Sequence, residues 1–585
     1  MKNKFHEILL NAKEAIFRYP LVLLMSAIMS LAAIMLIEDI LDDSFFLIKI
    51  IIVSSIGISL MFALKIFSQR WKMNFFIEIL GILYLIGFYF ILPKDDDDFT
   101  EFYAYLLIPV YILSHLLVSF VAFMRRKYLE INFWQYNKNL FVNFFLTLVF
   151  TGVLTGGVLL AVLAVDKLFN VGIRDNLYAE IAVSLLIFGS SFIFLLFNET
   201  GLDFLEKEGN YPVVLKFFTQ YVLIPLLSIY VVILYFYSGK ILINWELPRG
   251  WVSYLVLAYS IVGILALLLV HPLKENTDKF WIRIFSKLFY FTLIPLILLL
   301  FIAIFTRVLE YGYTEPRYYV LLLALWLSTV VAYFIFRKSP TIKFIPISLF
   351  CFGIFALIFP YFNAFSVAKR SQKNELEKIL NENNLLVNGK IDFTQEVPDT
   401  VAYEIADKFE FLHKRFEKDY VHNYLSEEMQ KDFQNAYYWS LPQKFSNRTY
   451  STVTVSSNDY VNLVSKNVSY DLDGFEHIVV FPENEENPVT IGNDSLEMIF
   501  NNGNSRKYKL MLNNADSLDL KPLFDDVFKQ FKGRENYQKV DELFVEGDLG
   551  KYRVKIIFKS INRSRYNAQE FNYWYESPIV LLKLK

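Results

Sequence analysis

Apolar residues fill the first 361 positions in long unbroken runs, then give way to short alternating ones. Eleven runs can be counted, at 20–37, 45–66, 74–92, 102–124, 140–165, 178–198, 213–237, 250–271, 286–306, 318–336 and 344–361. A helix that crosses a bilayer needs about 20 predominantly apolar residues. The pattern predicts a polytopic α-helical membrane bundle of about 11 transmembrane helices over 20–362. Residues 1–19 differ: Lys2, Lys4, Lys13 and Arg18 alternate with Phe5, Ile8, Leu9, Ala12 and Ile16. This is the pattern of an amphipathic N-terminal helix lying on the cytoplasmic face. No small-x-small cleavage site follows Pro20–Ile37, so that run reads as a retained first span.

From Asn363 the period changes. Residues 363–384 are charged, with Leu376, Ile379 and Leu380 on one face, and predict a helical linker that carries the chain away from the membrane. Residues 385–585 read as an extracytoplasmic α+β soluble domain. Asn388-Gly389-Lys390 suits a hairpin turn. Pro398 opens a helix with Val401, Ile405, Phe409, Leu412 and Phe416 at helical spacing. Alternating stretches at 449–456, 460–469, 475–481, 495–500, 506–512, 541–546, 551–560 and 572–584 predict strands, interrupted by a helix over 518–531. Some 200 residues hold a core without disulfides, and Cys351, the only cysteine, cannot form one within the chain.

Charge sets the orientation. Lys65, Arg70 and Lys72, then Arg125, Arg126, Lys127 and Lys138, then Lys274, Lys279, Arg283 and Lys287, then Arg337, Lys338 and Lys343 occupy every second connection. Lysine and arginine favour cytoplasmic loops, which places the N-terminus inside and the C-terminal domain outside the cytoplasm. The intervening connections are acidic or sparse in bases, Asp95–Asp98 among them. Residues 199–212 fit poorly, with Glu199, Asp203, Glu206 and Glu208 against Lys207. Acidic residues count little in this rule, and the assignment stands. The net charge of −2 gives no basic field for a nucleic acid.

One hairpin is written twice, over 213–271 and 286–337. Tyr221-Val222-Leu223-Ile224-Pro225-Leu226 precedes Glu246-Leu247-Pro248-Arg249, and Phe291-Thr292-Leu293-Ile294-Pro295-Leu296 precedes Glu315-Pro316-Arg317. Such internal symmetry is how many transporters are built. Prolines inside spans, at Pro109, Pro225 and Pro295, predict kinks, and Gly152, Gly156 and Gly157 would allow a neighbouring helix close approach.

The stretch Arg307-Val-Leu-Glu310-Tyr311-Gly312-Tyr313-Thr314-Glu315-Pro316-Arg317-Tyr318 resembles the hallmark of an uncharacterised bacterial membrane-protein family, domain of unknown function 4153. Asn388-Gly389-Lys390-Ile391 and Tyr470-Asp471-Leu-Asp473-Gly474-Phe475 are similar to its soluble tail. The resemblance implies an inner-membrane protein with an extracytoplasmic C-terminal domain. It carries no established activity and hence no catalytic residue.

Ionisable groups within spans are costly and mark function by default. Lys49, Lys65, Lys216 and Lys287 lie near span ends, where they can snorkel, and Glu78 and Glu180 lie close enough to an end to reach the surface. His115 sits mid-span and is the intramembrane polar candidate, either as a hydrogen bond between helices or as a proton or substrate contact. Glu246, Arg249, Arg307, Glu310, Glu315 and Arg317 gather acids and bases on the outer connections of the repeated hairpins. They read as ion pairs that fix the hairpins or as a vestibule for a lipid headgroup or anionic substrate. Asp471-Leu-Asp473-Gly474 reads as a turn rather than a calcium loop, and His413 and His422 lack zinc spacing. No metal, cofactor or catalytic constellation is predicted. The leading expectation is a non-enzymatic membrane protein that senses or scaffolds in the envelope through its outer domain, with the lipid bilayer and an envelope protein or lipid headgroup as partners. The alternative is a transporter or lipid-handling protein with a polar cavity between 213–237 and 286–306. An envelope enzyme acting on a lipid-linked substrate has the least support.

Overall fold

The computed structural model describes residues 2–585 except 42, 74, 126–128, 199, 208–211, 245–250, 274–279, 434–437, 446, 450–459, 467–471, 473, 482–487, 502–506, 531–536, 566–570 and 577. The chain divides into two compact units, Met1–Thr449 and Tyr450–Lys585. The unit holding the bundle thus extends past 385, where the sequence pattern places the start of the soluble domain.

After α1 (Lys2–Arg18) come eleven apolar helices. They are α2 (Pro20–Ile37), α3 (Ser44–Trp71), α4 (Phe76–Ile91), α5 (Glu101–Phe120), α6 (Glu130–Phe169), α7 (Asp175–Leu196), α8 (Val213–Ile241), α9 (Trp251–Val270), α10 (Phe280–Tyr311), α11 (Glu315–Phe336) and α12 (Phe344–Ile358). Among the described residues nine are long and apolar enough to cross a membrane; α4 and α12 are shorter. The protein is a multi-pass membrane protein. Its helix boundaries follow local chemistry. Asp43 accepts the Phe46 amide at 3.1 Å to cap α3, which ends at Lys72 with φ +50°. Pro20 and Pro316 occupy first turns, where a missing N–H costs nothing. The prolines act differently in the two hairpins. Pro295 lies inside α10, whereas Pro225 follows a π-helical turn at Phe218–Leu223. Proline cannot donate to the carbonyl four residues back, and a widened turn accommodates the orphan. α7 carries a second π-helical turn, Leu185–Gly189.

Polar contacts tie the ends of the bundle. At one end Arg18 donates to the Thr200 carbonyl at 3.0 Å, Tyr19 to the Asn198 carbonyl at 3.1 Å, and Arg70 pairs with Glu206. There too the Trp134 indole donates to the Leu268 carbonyl at 2.8 Å, and Glu130 accepts the Ile342 amide at 2.8 Å. Thr200 and Glu206 of the acidic connection therefore sit with the basic Arg18 and Arg70. Arg126, Lys127, Glu199, Glu208, Lys274 and Lys279 lie outside the described residues. Glu78 does not reach the surface: it is buried and receives Lys65 at 3.1 Å, joining α3 to α4. Lys49 is buried as well, 4.3 Å from the centre of the Tyr89 ring.

Two longer helices follow in this unit, α13 (Ala364–Glu382) and α14 (Asp399–His413), and then the short helices Lys418–His422, Glu427–Asp432 and Tyr438–Lys444. Asn363 caps α13 through the Ser366 amide at 2.7 Å. Rather than leading away, α13 buries Ala364, Ala368, Gln372, Leu376, Ile379 and Leu380. Leu376, Ile379 and Leu380 share a core with Ile405, Phe409 and Leu412 of α14. Between the two helices Leu386–Val387 pairs antiparallel with Lys390–Ile391 around Asn388 and Gly389, whose φ values of +52° and +77° suit that hairpin.

Among the described residues the second unit holds three four-stranded sheets and one helix, Lys521–Gln530. One sheet orders Tyr537–Val540, Tyr460–Ser465, Ser560–Arg565 and Phe571–Glu576; another, Phe544–Leu549, Tyr552–Ile557, Ile579–Leu584 and His477–Val480. The third orders Asp516–Asp519, Lys507–Leu512, Asp494–Asn501 and Val489–Ile491. Leu463, Leu510, Phe524, Val554, Phe558, Tyr573 and Leu582 form its core. The chain is a helical membrane bundle followed by an α+β region.

Candidate functional site

A cavity of about 720 Å³ lies within the bundle between α2, α3, α5, α6 and α7. Val22, Met29, Ile58, Phe62, Val118, Leu140, Phe141, Phe144, Leu148, Leu186, Ile187 and Phe194 make its apolar wall. Ser55, Ser59, Tyr111, His115, Ser119, Asn137, Thr147, Ser190 and Ser191 supply polar atoms, and no charged acid or base lines it among the described residues. Helical spacing explains the polar stripe. Tyr111, His115 and Ser119 recur every fourth residue along α5, and Ser55 and Ser59 do so along α3, each set on one face. The π-helical turn of α7 contributes Leu186 and Ile187; such bulges recur at functional sites.

His115 falls in this wall. Its Nδ1 lies 2.8 Å from the Tyr111 carbonyl of its own helix. It makes no hydrogen bond to another helix among the described residues. A carbonyl only accepts, so this contact places a proton on Nδ1 and leaves Nε2 facing away from it. Around it the Ser55 and Tyr111 hydroxyls bond across α3 and α5, and Ser59 donates to Ser114 at 2.8 Å. Asn137 donates to the Ser119 and Phe133 carbonyls at 3.1 and 2.9 Å. These bonds hold the polar atoms in place, so the cavity is apolar with fixed neutral handles.

The space between 213–237 and 286–306 is different. Leu223, Ile224, Leu227 and Leu234 pack there with Phe289, Leu293, Leu296, Ile297 and Leu300. Tyr235 donates to the Thr292 carbonyl at 2.9 Å, and the Tyr259 and Thr292 hydroxyls meet at 3.1 Å. Apolar side chains thus pack around the proline kinks, where the polar cavity was expected, and the cavity described above lies in the other half of the bundle.

Of the outer-connection residues, Glu246 and Arg249 lie outside the described residues. Glu315 is fully buried and both its oxygens are taken by Arg415, Nε at 2.7 Å and Nη2 at 2.8 Å. Arg415, just after α14, also donates Nη1 to the Phe411 carbonyl at 3.1 Å and stacks 3.5 Å from that ring. Its role was not legible, because one arginine among the many charges of 363–449 carries no local signal. The adjoining turn is clamped too. Gln372 donates to the Tyr311 and Tyr313 carbonyls at 3.0 and 2.8 Å, and Ser371 accepts the Tyr313 amide at 2.8 Å. Tyr318 donates to the Phe362 carbonyl. Arg307, Glu310 and Arg317 lie on the same turn, Glu310 exposed and both arginines half-buried.

Asp471 and Asp473 lie outside the described residues. His422 meets the Tyr438 hydroxyl at 3.1 Å, and the His413 ring lies 5.5 Å from that tyrosine ring. Burial, then the neighbouring Lys418, hold both histidines below the ordinary imidazole range. No group of three or more metal-ligating side chains forms among the described residues.

The model of the family described as domain of unknown function (DUF4153) matches residues 23–393, well over half of the chain. The chain is also 25% identical over 330 residues to an uncharacterized protein, PM1469, of Pasteurella multocida (strain Pm70). That match takes in 55% of this chain and 52% of the relative, so the chain spans about half of the relative's length. No solved structure matches it significantly. The multi-span bundle, with the Arg307–Tyr318 turn clamped on its end, falls mostly within the matched region, and the chain belongs to the DUF4153 family.

Proposed function

We propose that this is a lipid-handling protein of the bacterial inner membrane that holds a neutral amphiphile in the cavity between α2, α3, α5, α6 and α7. The cavity carries the reading. At about 720 Å³ it falls in the range of sites that enclose a small molecule. Its walls belong to membrane-spanning helices, so the apolar medium available to fill it is the chain of a lipid. The hydroxyl and amide handles of Ser55, Ser59, Tyr111, Asn137 and Thr147 favour a hydroxyl or ester over a charged headgroup, which would be buried unpaired. In this reading the N-terminus lies in the cytoplasm and the C-terminal region outside. The alternation of basic connections supports this, as does the seating of Thr200 and Glu206 beside Arg18 and Arg70.

The test is native mass spectrometry of the full-length protein released gently from its own membrane, with identification of what stays bound. Wild type retains a chain-bearing neutral lipid, and Ser191→Phe, which fills the cavity wall, loses it. Equal retention by both refutes the reading.

The clamped turn favours a second reading, in which the region after the bundle senses or scaffolds in the envelope and passes its state to the helices. It predicts a co-purifying envelope protein whose retention is lost on Arg415→Met. For an enzyme with Glu246 or Glu315 as its base, Glu315 is the weaker candidate, since Arg415 engages both its oxygens.

A further inference from the structure

Beside the fully paired Glu315 lies a group of cations with no such partner. The Arg307 and Arg317 guanidinium carbons sit 5.9 and 5.4 Å from the centre of one ring, that of Tyr311. Arg317 uses a single nitrogen, Nη1, on the carbonyls of Tyr311 and Gly312 at 3.2 and 2.8 Å. Among the described residues neither arginine has a carboxylate at ion-pair distance. The third member is Lys408 of α14. Its side chain is 5% exposed, and its nearest acid is the adjacent Asp407 at 4.0 Å, itself 79% exposed. Burial pulls the Lys408 amine below the ordinary lysine range. Asp407, Glu404 and Glu375 pull the other way, and Arg317 lies close enough to push with burial.

A buried cation without a hydrogen-bonded anion is unfavourable. Here that state is held by a turn fixed through Gln372 and Ser371, so the group cannot simply relax into water. Two planar guanidinium forks with free N–H groups, and one compact ammonium, match the oxygens of a phosphate. The turn joins the ends of two spans, α10 and α11, which is the depth of lipid headgroups. Glu310, Glu375, Glu404 and Asp407 surround the cluster without closing on it as strong pairs. They offset its long-range field, and recognition rests on direct N–H contact.

We propose that Arg307, Arg317 and Lys408 form a binding site for a phosphate group, presented by the headgroup of an anionic lipid or by free phosphate. The site is separate from the cavity and takes the opposite chemistry, a charged headgroup rather than a neutral chain.

The experiment uses the full-length protein in nanodiscs of phosphatidylcholine with a minor fraction of phosphatidylglycerol. Retained lipid is counted by native mass spectrometry. Wild type keeps phosphatidylglycerol over phosphatidylcholine. Removing one charge by Arg307→Gln, Arg317→Gln or Lys408→Met lowers that retention about tenfold or more, whereas Lys408→Arg keeps it. A second arm adds inorganic phosphate to wild type in pure phosphatidylcholine discs. Binding there that is lost in the same variants, with no preference for phosphatidylglycerol, identifies free phosphate as the ligand. Should Lys408→Met fail to fold, Arg307→Gln on the rim and Lys408→Arg still decide. Unchanged retention in the charge-removing variants, together with no phosphate binding by wild type, overturns the proposal.

Discussion

Breaking the Glu315–Arg415 pair should release the helices that follow the bundle. The perturbation is Arg415→Met, which keeps the side chain's length and removes its charge. Glu315 would then keep a carboxylate in a site with no exposure, having lost two hydrogen bonds of 2.7 and 2.8 Å. Removing one partner of a buried pair costs about 3–5 kcal/mol, most of it the penalty of the stranded charge. At about 1.4 kcal/mol per tenfold, that is roughly two to three and a half decades of opening. Hydrogen exchange of the full-length protein reads this directly, because amide protection reports the free energy of local opening. The amides of α13 and α14 should lose protection by that amount, while those of α2 and α3 should not. The double variant Glu315→Leu with Arg415→Met removes both charges and should recover most of the loss, since an apolar replacement of a whole pair is often neutral. A loss under tenfold in the single variant, or a double variant no better than the single, would show that the clamp lies elsewhere.

Three further outcomes follow from the geometry. Gly312 has φ +73°, and a methyl group added there would meet the Ser371 hydroxyl at 2.8 Å and Glu375 at 2.9 Å. Gly312→Ala should therefore cost about 1–2 kcal/mol and lower the unfolding temperature. Asp494 is held at about 2, below its ordinary 3.8, by hydrogen bonds from Lys551, Asn513 and Tyr552. A depressed folded pKa stabilises above the unfolded value and is lost on acidification, so the second unit should weaken as pH falls from about 4 toward 2. Asp494→Asn should remove that acid-dependent part, as followed by limited proteolysis across this pH range. Nothing lies within 4 Å of where a side chain would start at Gly156. Gly156→Leu should leave thermal stability within about 0.5 kcal/mol, and a larger loss would mean that α6 packs against another molecule.

The bundle was legible because bilayer length and apolar composition act on every residue of a span; all eleven runs reappear as helices. The outer sheets were legible only in part. Ser560–Arg565 and Phe571–Glu576 are strands rich in polar side chains, and 572–584 splits into two strands. A run of alternation does not reveal where the chain crosses from one sheet to another. The cavity was half visible. His115 stood out by itself, while Tyr111 and Ser119, one turn to either side, showed that it belongs to a polar stripe. What no local pattern could give was that α6 and α7 bring Asn137 and Ser190 to the same space. Likewise, the Arg307–Tyr318 turn drew attention through its charges, but the partner that explains Glu315 lies 100 residues away.

The shortness of α4 and α12 has a physical consequence for the surrounding lipid. With 16 and 15 residues, at about 1.5 Å each, they reach roughly 24 and 22 Å, against about 30 Å of hydrocarbon. A bilayer meets such a mismatch by thinning, at a fraction of a kcal/mol per ångström. Wherever these two helices cross the bilayer, acyl-chain length becomes a variable: shorter or more disordered chains would be favoured beside α4 and α12, and a thicker membrane would press on the ends of both helices.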